Sequence, residues 1–147
     1  MENKNMELEP KVISCEHGDR DSIYNRLRKE EELFKDADLK HIFLLAVAIG
    51  FKEGFKSKIN KKESGGLLRV DTLKDKEKDF IKAIAVASTG DITVLLNKRL
   101  PYIIAEEYAN AGIKILDREI LKNPIGSYDK HLAAKLMDIL EKIDKKD

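Results

Sequence analysis

The chain has 147 residues, 37% of them charged, yet its formal net charge is only +1. Its length fits one domain of about 100–150 residues, which can bury a core without a disulfide or metal. A single cysteine, Cys15, excludes an internal disulfide framework, and the near-neutral charge argues against a protein that coats nucleic acid with its whole surface. The longest uninterrupted apolar run, Ile42–Ile49, is far short of the ~20 residues that cross a bilayer. With a polar, acidic N-terminus unlike a signal peptide, the sequence predicts a cytoplasmic protein without membrane contact.

The N-terminal residues 1–18 lack hydrophobic periodicity, so we expect a flexible tail, with at most one extended piece at Val12–Ser14. Residues 19–147 are expected to form a single helical domain. Ser22 can cap a first helix. Ile23, Leu27 and Phe34 follow on one stripe, at spacings of four and seven residues.

A second helix is predicted at about 38–51. It is apolar on every side, which places it at the centre of the core. Gly50 and Gly54 weaken the helix beyond this point, and one of the two can serve as its C-terminal cap. A polar, lysine-rich loop follows over Lys56–Gly66, and Leu67–Val70 is either a short strand or an extended lead-in.

The remaining chain predicts further helices separated by glycine and proline. A third helix starts near residues 72–75 and stops at Gly90, and Asp91 can cap a short helix through Leu95. We expect the third helix to face the core with Phe80, Ile81, Ile84, Ala85 and Ala87. Pro101 suits the first turn of a fourth helix over 102–111, and Gly112 suits its end.

Residues 113–121 predict another helix, and residues 123–126 a turn. The last predicted helix runs from about Asp129 to the C-terminus. Its apolar stripe consists of Leu132, Leu136, Ile139, Leu140 and Ile143. The predicted fold is therefore all-α, a compact single-domain bundle of five to six helices around the central hydrophobic helix.

One segment concentrates positive charge. It contains Lys52, Lys56, Lys58, Lys61, Lys62 and Arg69. Only Glu53 and Glu63 oppose these six positive charges, so the local charge is +4 in a chain whose total is +1. Such clustering favours binding to phosphates, because each cation that meets a phosphate releases counterions, and nearby glycines allow close backbone approach. The alternative is a mobile loop whose lysines only keep it solvated, since aromatic residues between the lysines are limited to Phe51 and Phe55.

No residue pattern predicts a metal site, a cofactor or catalysis. Zinc needs three or four ligands at characteristic spacing, whereas Cys15 and His17 in the predicted tail are separated from His41 and His131 on different helices. Adjacent carboxylates such as those of Glu106 and Glu107 point about 100° apart on a helix, so they do not easily bind one ion. We therefore expect no enzymatic activity.

Three segments together resemble a known family. They are Leu33–Phe34 leading into Ile42–Lys52; Phe80–Ala85 with Gly90–Asp91; and Glu106–Gly112. The chain from about Leu33 to Leu116 thereby resembles the small accessory proteins encoded beside DNA phosphorothioation (Dnd) restriction–modification genes. The resemblance implies a role in a defence locus, close to DNA or to the larger proteins of that locus, and it transfers no catalytic residues.

Two hypotheses for function follow. The first is a non-catalytic accessory protein that contacts DNA weakly and electrostatically through the Lys52–Arg69 segment. The second is a protein-interaction or oligomerisation module that binds a larger subunit of the same system or a second copy of itself. The long stripe of the last predicted helix and its charged end at Asp144–Asp147 favour the second hypothesis.

Overall fold

The computed structural model of the chain describes residues 8–122, without the side chains of 121 and 122, together with residues 138, 139, 141 and 142. Its α-helices are α1 (Arg26–Glu30), α2 (Leu39–Glu53), α3 (Asp75–Thr89) and α4 (Leu100–Lys122). A π-helical turn, Arg20–Asn25, leads into α1, and 3-10 turns lie at Glu32–Phe34, Val70–Thr72 and Ile92–Leu96. Strands β1 (Val12–Ile13) and β2 (Leu68–Arg69) pair antiparallel.

The structure is mostly helical, as the all-α prediction states, but the described part of the chain contains four α-helices rather than five or six. Gly112 does not end a helix: α4 continues through it, so the two helices predicted at 102–111 and 113–121 are one. The short helix predicted after Asp91 is a 3-10 turn. The predicted last helix lies almost entirely outside the described residues.

Helix α2 is the centre of the core, as its sequence predicted. Six consecutive side chains, Ile42 to Val47, are at most 4% exposed. A helix buried on nearly every side needs neighbours around it, and here these include α4, α3 and the π-helical turn. The predicted stripe of the first helix is buried as well, with Ile23, Leu27 and Phe34 each at most 6% exposed.

Helices α2 and α4 cross at a pair of glycines, Gly50 and Gly112. A Cβ atom added to Gly112 would lie 1.8 Å from the carbonyl oxygen of Ala46, and one added to Gly50 would lie 2.1 Å from that of Tyr108. The two backbones therefore touch where the helices cross. Gly112 permits this close approach in the middle of α4, while Gly54, with φ of 76°, is the glycine that caps α2.

The N-terminal segment corrects another expectation. Residues 12–18 are part of the domain rather than a tail, because β1 pairs with β2 and Glu16 forms a further bridge with Lys62. Ile13 is fully buried and Cys15 is 6% exposed. The ammonium of Lys114 on α4 lies 2.6 Å from the Asp19 carboxylate and ties the end of this segment to the core.

Helix α3 packs with Ile81, Ile84 and Ala85 buried and Phe80 partly buried, as predicted, but Ala87 is exposed. Two residues beyond Ala85, position 87 lies about 200° around the helix and faces away from the core. Within the described residues, no helix combines the length and apolarity needed to cross a membrane.

Candidate nucleic-acid interface

The predicted lysines lie on one connection, which we call the basic loop: residues 54–67, between α2 and β2. The last turn of α2 contributes Lys52 immediately before it. Four more lysines lie on the loop itself: Lys56, Lys58, Lys61 and Lys62. All five are exposed, and so is Arg69 on β2. The five lysines thus lie on the end of α2 and on the loop that follows it, and Arg69 lies on the next strand.

Glu16 fixes the middle of the basic loop. Its carboxylate accepts hydrogen bonds from the backbone N–H groups of Asn60, at 2.9 Å, and Lys61, at 2.8 Å. These bonds hold the pKa of Glu16 below its usual value, because they stabilise the charged carboxylate. The backbone N–H of His17 also donates to the carbonyl of Lys61 at 2.7 Å. The loop backbone is therefore bonded to the N-terminal segment.

Glu63 fixes the end of the loop and turns its charge inward. The side chain is 7% exposed and accepts from the backbone N–H groups of Gly18, at 3.1 Å, and Ser64, at 3.2 Å. The Arg20 guanidinium donates to the carbonyls of Ser64 and Gly66, at 3.0 and 2.9 Å. One of the two acidic residues of the basic segment is therefore part of the scaffold beneath the surface.

Helix α4 holds the beginning of the loop. The buried amide of Asn110 donates to the carbonyls of Ser57, at 3.1 Å, and Lys58, at 3.2 Å. In return, the backbone N–H of Ser57 donates to the carbonyl of Glu107 at 3.0 Å. Long-range bonds to α4 and to the N-terminal segment therefore position the backbone on which the lysines stand.

The lysine side chains differ in what they touch. The Lys56 ammonium lies 5.6 Å from the centre of the Tyr108 ring, within the range of a cation–π contact. Lys62 acts electrostatically on the buried carboxyl of Glu106, whose pKa is raised by burial and lowered in part by Lys62. Among the described residues, Lys52, Lys58 and Lys61 have no ion-pair partner within 4 Å.

Arg69 stands apart from the lysines. Its guanidinium donates two hydrogen bonds to the Asp71 carboxylate, at 3.2 and 2.7 Å. This pair raises the pKa of Arg69 and lowers that of Asp71, because each ion stabilises the charge of the other. The charge at position 69 is therefore already balanced, whereas none of the five lysines has an acidic partner within 4 Å among the described residues.

Cys15 and Glu106, two residues with reactive side chains, are both buried. Cys15 is buried, and desolvation raises the pKa of its thiol to about 12, so it is protonated at neutral pH and a poor nucleophile. Glu106 is 8% exposed and accepts the Ser14 backbone N–H at 2.6 Å. The part of the chain that the structure describes contains no group of three His, Cys, Asp or Glu side chains able to hold a metal ion.

Sequence reasoning missed the residues that hold the loop. Glu16 and Asn60 are 44 positions apart, and Asn110 and Ser57 are 53 apart, so no local pattern joins them. An isolated glutamate or asparagine also carries no periodic signal of its own. The sequence predicts an extended piece at Val12–Ser14 and a short strand or lead-in at Leu67–Val70, which contain β1 and β2, but it does not predict that the two pair.

A comparison with protein families gives a match over most of the chain. A family model described as DNA sulphur modification system-associated protein 4 matches residues 17–146. This match confirms the resemblance to accessory proteins of Dnd systems. No curated protein and no solved structure matches the sequence.

Proposed function

The chain belongs to the DNA sulphur modification system-associated protein 4 family. We propose that it is a non-catalytic accessory protein that contacts nucleic acid through the basic loop. The contact residues are Lys52, Lys56, Lys58, Lys61 and Lys62. Arg69 is a secondary member of the surface, because Asp71 balances its charge.

The observation that carries the proposal is the separation of charge across the loop. The lysines are exposed, while Glu16 and Glu63, which contact the loop backbone, direct their carboxylates to backbone N–H groups. Glu53, beside Lys52, is the exposed acidic residue of the segment. The loop backbone is held at several points before a ligand binds, which lowers the entropic cost of association. Local cation clustering in a chain of net charge +1 favours weak, largely sequence-independent binding to phosphates.

Fluorescence anisotropy with labelled duplex and single-stranded DNA over a salt series tests this proposal. We expect affinity to fall steeply with salt, and replacement of Lys56, Lys58, Lys61 and Lys62 by alanine to reduce the slope by about one per lost phosphate contact. A matched variant removes four exposed lysines elsewhere: Lys29, Lys35, Lys82 and Lys98. No binding at micromolar protein, or equal losses in the two variants, would refute the proposal.

A further arm of the same assay compares DNA with and without sulphur in its backbone. A phosphorothioate linkage keeps the single negative charge of a phosphate, so contact by lysine ammonium groups predicts similar affinity, within about twofold, for the two DNAs. A large preference for sulphur-containing DNA would show that recognition depends on more than the charge of the lysines.

The non-catalytic part of the proposal is tested by incubation with plasmid and single-stranded DNA in magnesium or manganese. Hydrolysis of nucleic acid by a metal site needs converging ligands, and we expect no cleavage. Cleavage that survives purification and disappears when Asp71, Glu106 or Glu107 is replaced would overturn this part of the proposal while leaving DNA binding intact.

A second candidate function is a protein-interaction module that binds another component of the same system. It is supported by two strongly exposed apolar side chains on the 3-10 turn before α4, Ile92 at 71% and Leu96 at 81%, and by Ile103 at 43% on α4 itself. Light scattering and co-purification experiments test this candidate when they are done on the parent chain and on the Leu96→Lys variant as a control. A monomer that retains no partner, with no difference between the two proteins, would count against this candidate.

A further inference from the structure

Phe55 is the one phenylalanine of the chain that is exposed. Its side chain is 59% exposed, whereas Phe34 and Phe43 are buried and Phe51 and Phe80 are partly buried. It lies in the sequence between Lys52 and Lys56, at the point where α2 ends and the basic loop begins. An apolar ring exposed to water contributes little to the core, and its exposure leaves it accessible to a ligand.

The backbone beneath Phe55 is held by the end of the helix. Gly54 adopts the left-handed conformation, and the Phe55 N–H donates to the carbonyl of Gly50 at 2.9 Å. Two residues later, the Ser57 N–H donates to the carbonyl of Glu107 at 3.0 Å. With its backbone held on both sides and only two side-chain torsions, the ring loses little freedom when a ligand covers it.

The neighbouring aromatic residues are already engaged. The Phe51 ring packs against Tyr108 edge to face, with the ring centres 5.5 Å apart and an interplanar angle of 83°. Lys56 lies over Tyr108, and the Tyr108 hydroxyl is 2.8 Å from the Ser88 hydroxyl. Phe51 and Tyr108 therefore stabilise the end of α2, and Phe55 is the ring left for an external partner.

Resting on the proposed function, we infer that the basic loop binds single-stranded nucleic acid, with a base stacked on Phe55 and phosphates paired with the surrounding lysines. In a duplex, the faces of the bases are covered by their neighbours, so an exposed ring on a surface loop cannot reach them. An unpaired base presents a free face, and aromatic rings among lysines and arginines are the combination that binds such strands without sequence preference.

The Phe55→Ala variant tests the inference by anisotropy against a single strand, the matching duplex and an abasic single strand. Stacking of one base predicts that the variant loses about 5- to 100-fold in affinity for the single strand, with the duplex and the abasic strand changed by less than about twofold. Leu8→Ala is the matched control, because it removes another exposed apolar side chain, 65% exposed, outside the basic loop.

A second variant gives a direct signal for stacking. The chain contains no tryptophan, so Phe55→Trp introduces a single indole reporter at the proposed platform. We expect it to keep the affinity for the single strand and to show fluorescence quenching with that strand but not with the abasic strand. The inference would be overturned if the two single strands quenched the fluorescence of Phe55→Trp equally. It would also be overturned if Phe55→Ala lost the same affinity for all three DNAs.

The outcomes separate this inference from the function on which it rests. Suppose that binding depends on salt and is lost in the four-lysine variant, but is unchanged in Phe55→Ala. This result would refute stacking and leave the proposed function intact. If the chain bound none of the DNAs, both the stacking inference and the proposed function would be refuted. Absence of binding together with reduced self-association of Phe55→Ala in light scattering would assign the exposed ring to a protein contact instead.

Discussion

The crossing of α2 and α4 and the basic loop begin only a few residues apart, at Gly50 and Gly54, but different constraints act on them. At the crossing, backbone meets backbone and a single added carbon has no room. On the loop, the backbone is bonded to distant residues while the lysine side chains extend into water. Stability should therefore depend on the first region and on the backbone anchors of the second, while binding should depend on the lysines.

The largest effect is expected at the crossing. Gly112→Ala places a carbon within 2 Å of the Ala46 carbonyl oxygen, so the helices must separate, and we expect the free energy of unfolding to fall by about 3 kcal/mol or more. At an open position inside a helix, the same change would stabilise by about 1 kcal/mol, so the sign of the effect reports the close approach.

Urea denaturation measures this difference. Gly90→Ala is a useful control, because its Cβ meets nothing within 4 Å, although its φ of 69° predicts a cost of about 1–2 kcal/mol. If Gly112→Ala were neutral or stabilising, the two helices would not be in backbone contact.

The next effect concerns an anchor of the basic loop. Glu63→Ala leaves the N–H groups of Gly18 and Ser64 without their acceptor, and we expect a loss of about 1–3 kcal/mol in the free energy of unfolding. Glu53→Ala is the matched control, because this exposed glutamate should change stability by no more than about 0.5 kcal/mol. Equal effects of the two changes would mean that the inward carboxylate does not hold the loop.

These two regions also show which parts of the fold the sequence predicts. The central helix was predicted within about two residues of its observed ends, because an unbroken apolar run carries a strong signal. Gly112 was misread for a physical reason. Glycine is common just after the end of a helix and weakens a helix interior, and only the partner helix shows that here it allows close contact.

The candidate site, like the fold, was only partly predictable from the sequence. The exposure of the lysines was predictable from composition, since long charged side chains are rarely buried. The pairing of Arg69 with Asp71 and the inward turn of Glu63 depend on the path of the backbone, which the sequence did not reveal. For the N-terminal residues 12–18, the extended piece expected at Val12–Ser14 is present as β1, but its pairing with β2 carries no local signal.

The exposed lysines of the basic loop should affect binding but not stability. Lys58→Ala and Lys61→Ala should each leave the free energy of unfolding within about 0.5 kcal/mol of the parent value, because neither ammonium has an ion-pair partner among the described residues. Each should reduce the salt dependence of DNA binding by about one in slope. Denaturation and anisotropy on the same samples check both statements, and a loss of stability without a loss of binding would reverse the roles assigned to the two regions.

The smallest expected effect is a pH dependence that has opposite signs at two glutamates. Burial raises the pKa of Glu106 in the folded state, so between its unfolded and folded pKa values the native chain binds more protons than the unfolded chain. Its contribution to stability is complete below the unfolded pKa and is lost as the pH rises through the folded pKa. Glu106→Gln keeps an acceptor for the Ser14 N–H but does not titrate, so it should gain stability relative to the parent as the pH rises.

Glu16 should behave in the opposite way, because hydrogen bonds from the loop backbone lower its pKa. Its contribution is present above the unfolded pKa and is lost as the pH falls through the folded value, so Glu16→Gln should lose stability relative to the parent as the pH rises through that window. Denaturation of the parent and both variants from about pH 3 to pH 8 measures the two differences. If both variants changed in the same direction relative to the parent, the two carboxyls would not have opposite pKa shifts. If the three stability curves were parallel, neither carboxyl would have a pKa that differs between the folded and unfolded states.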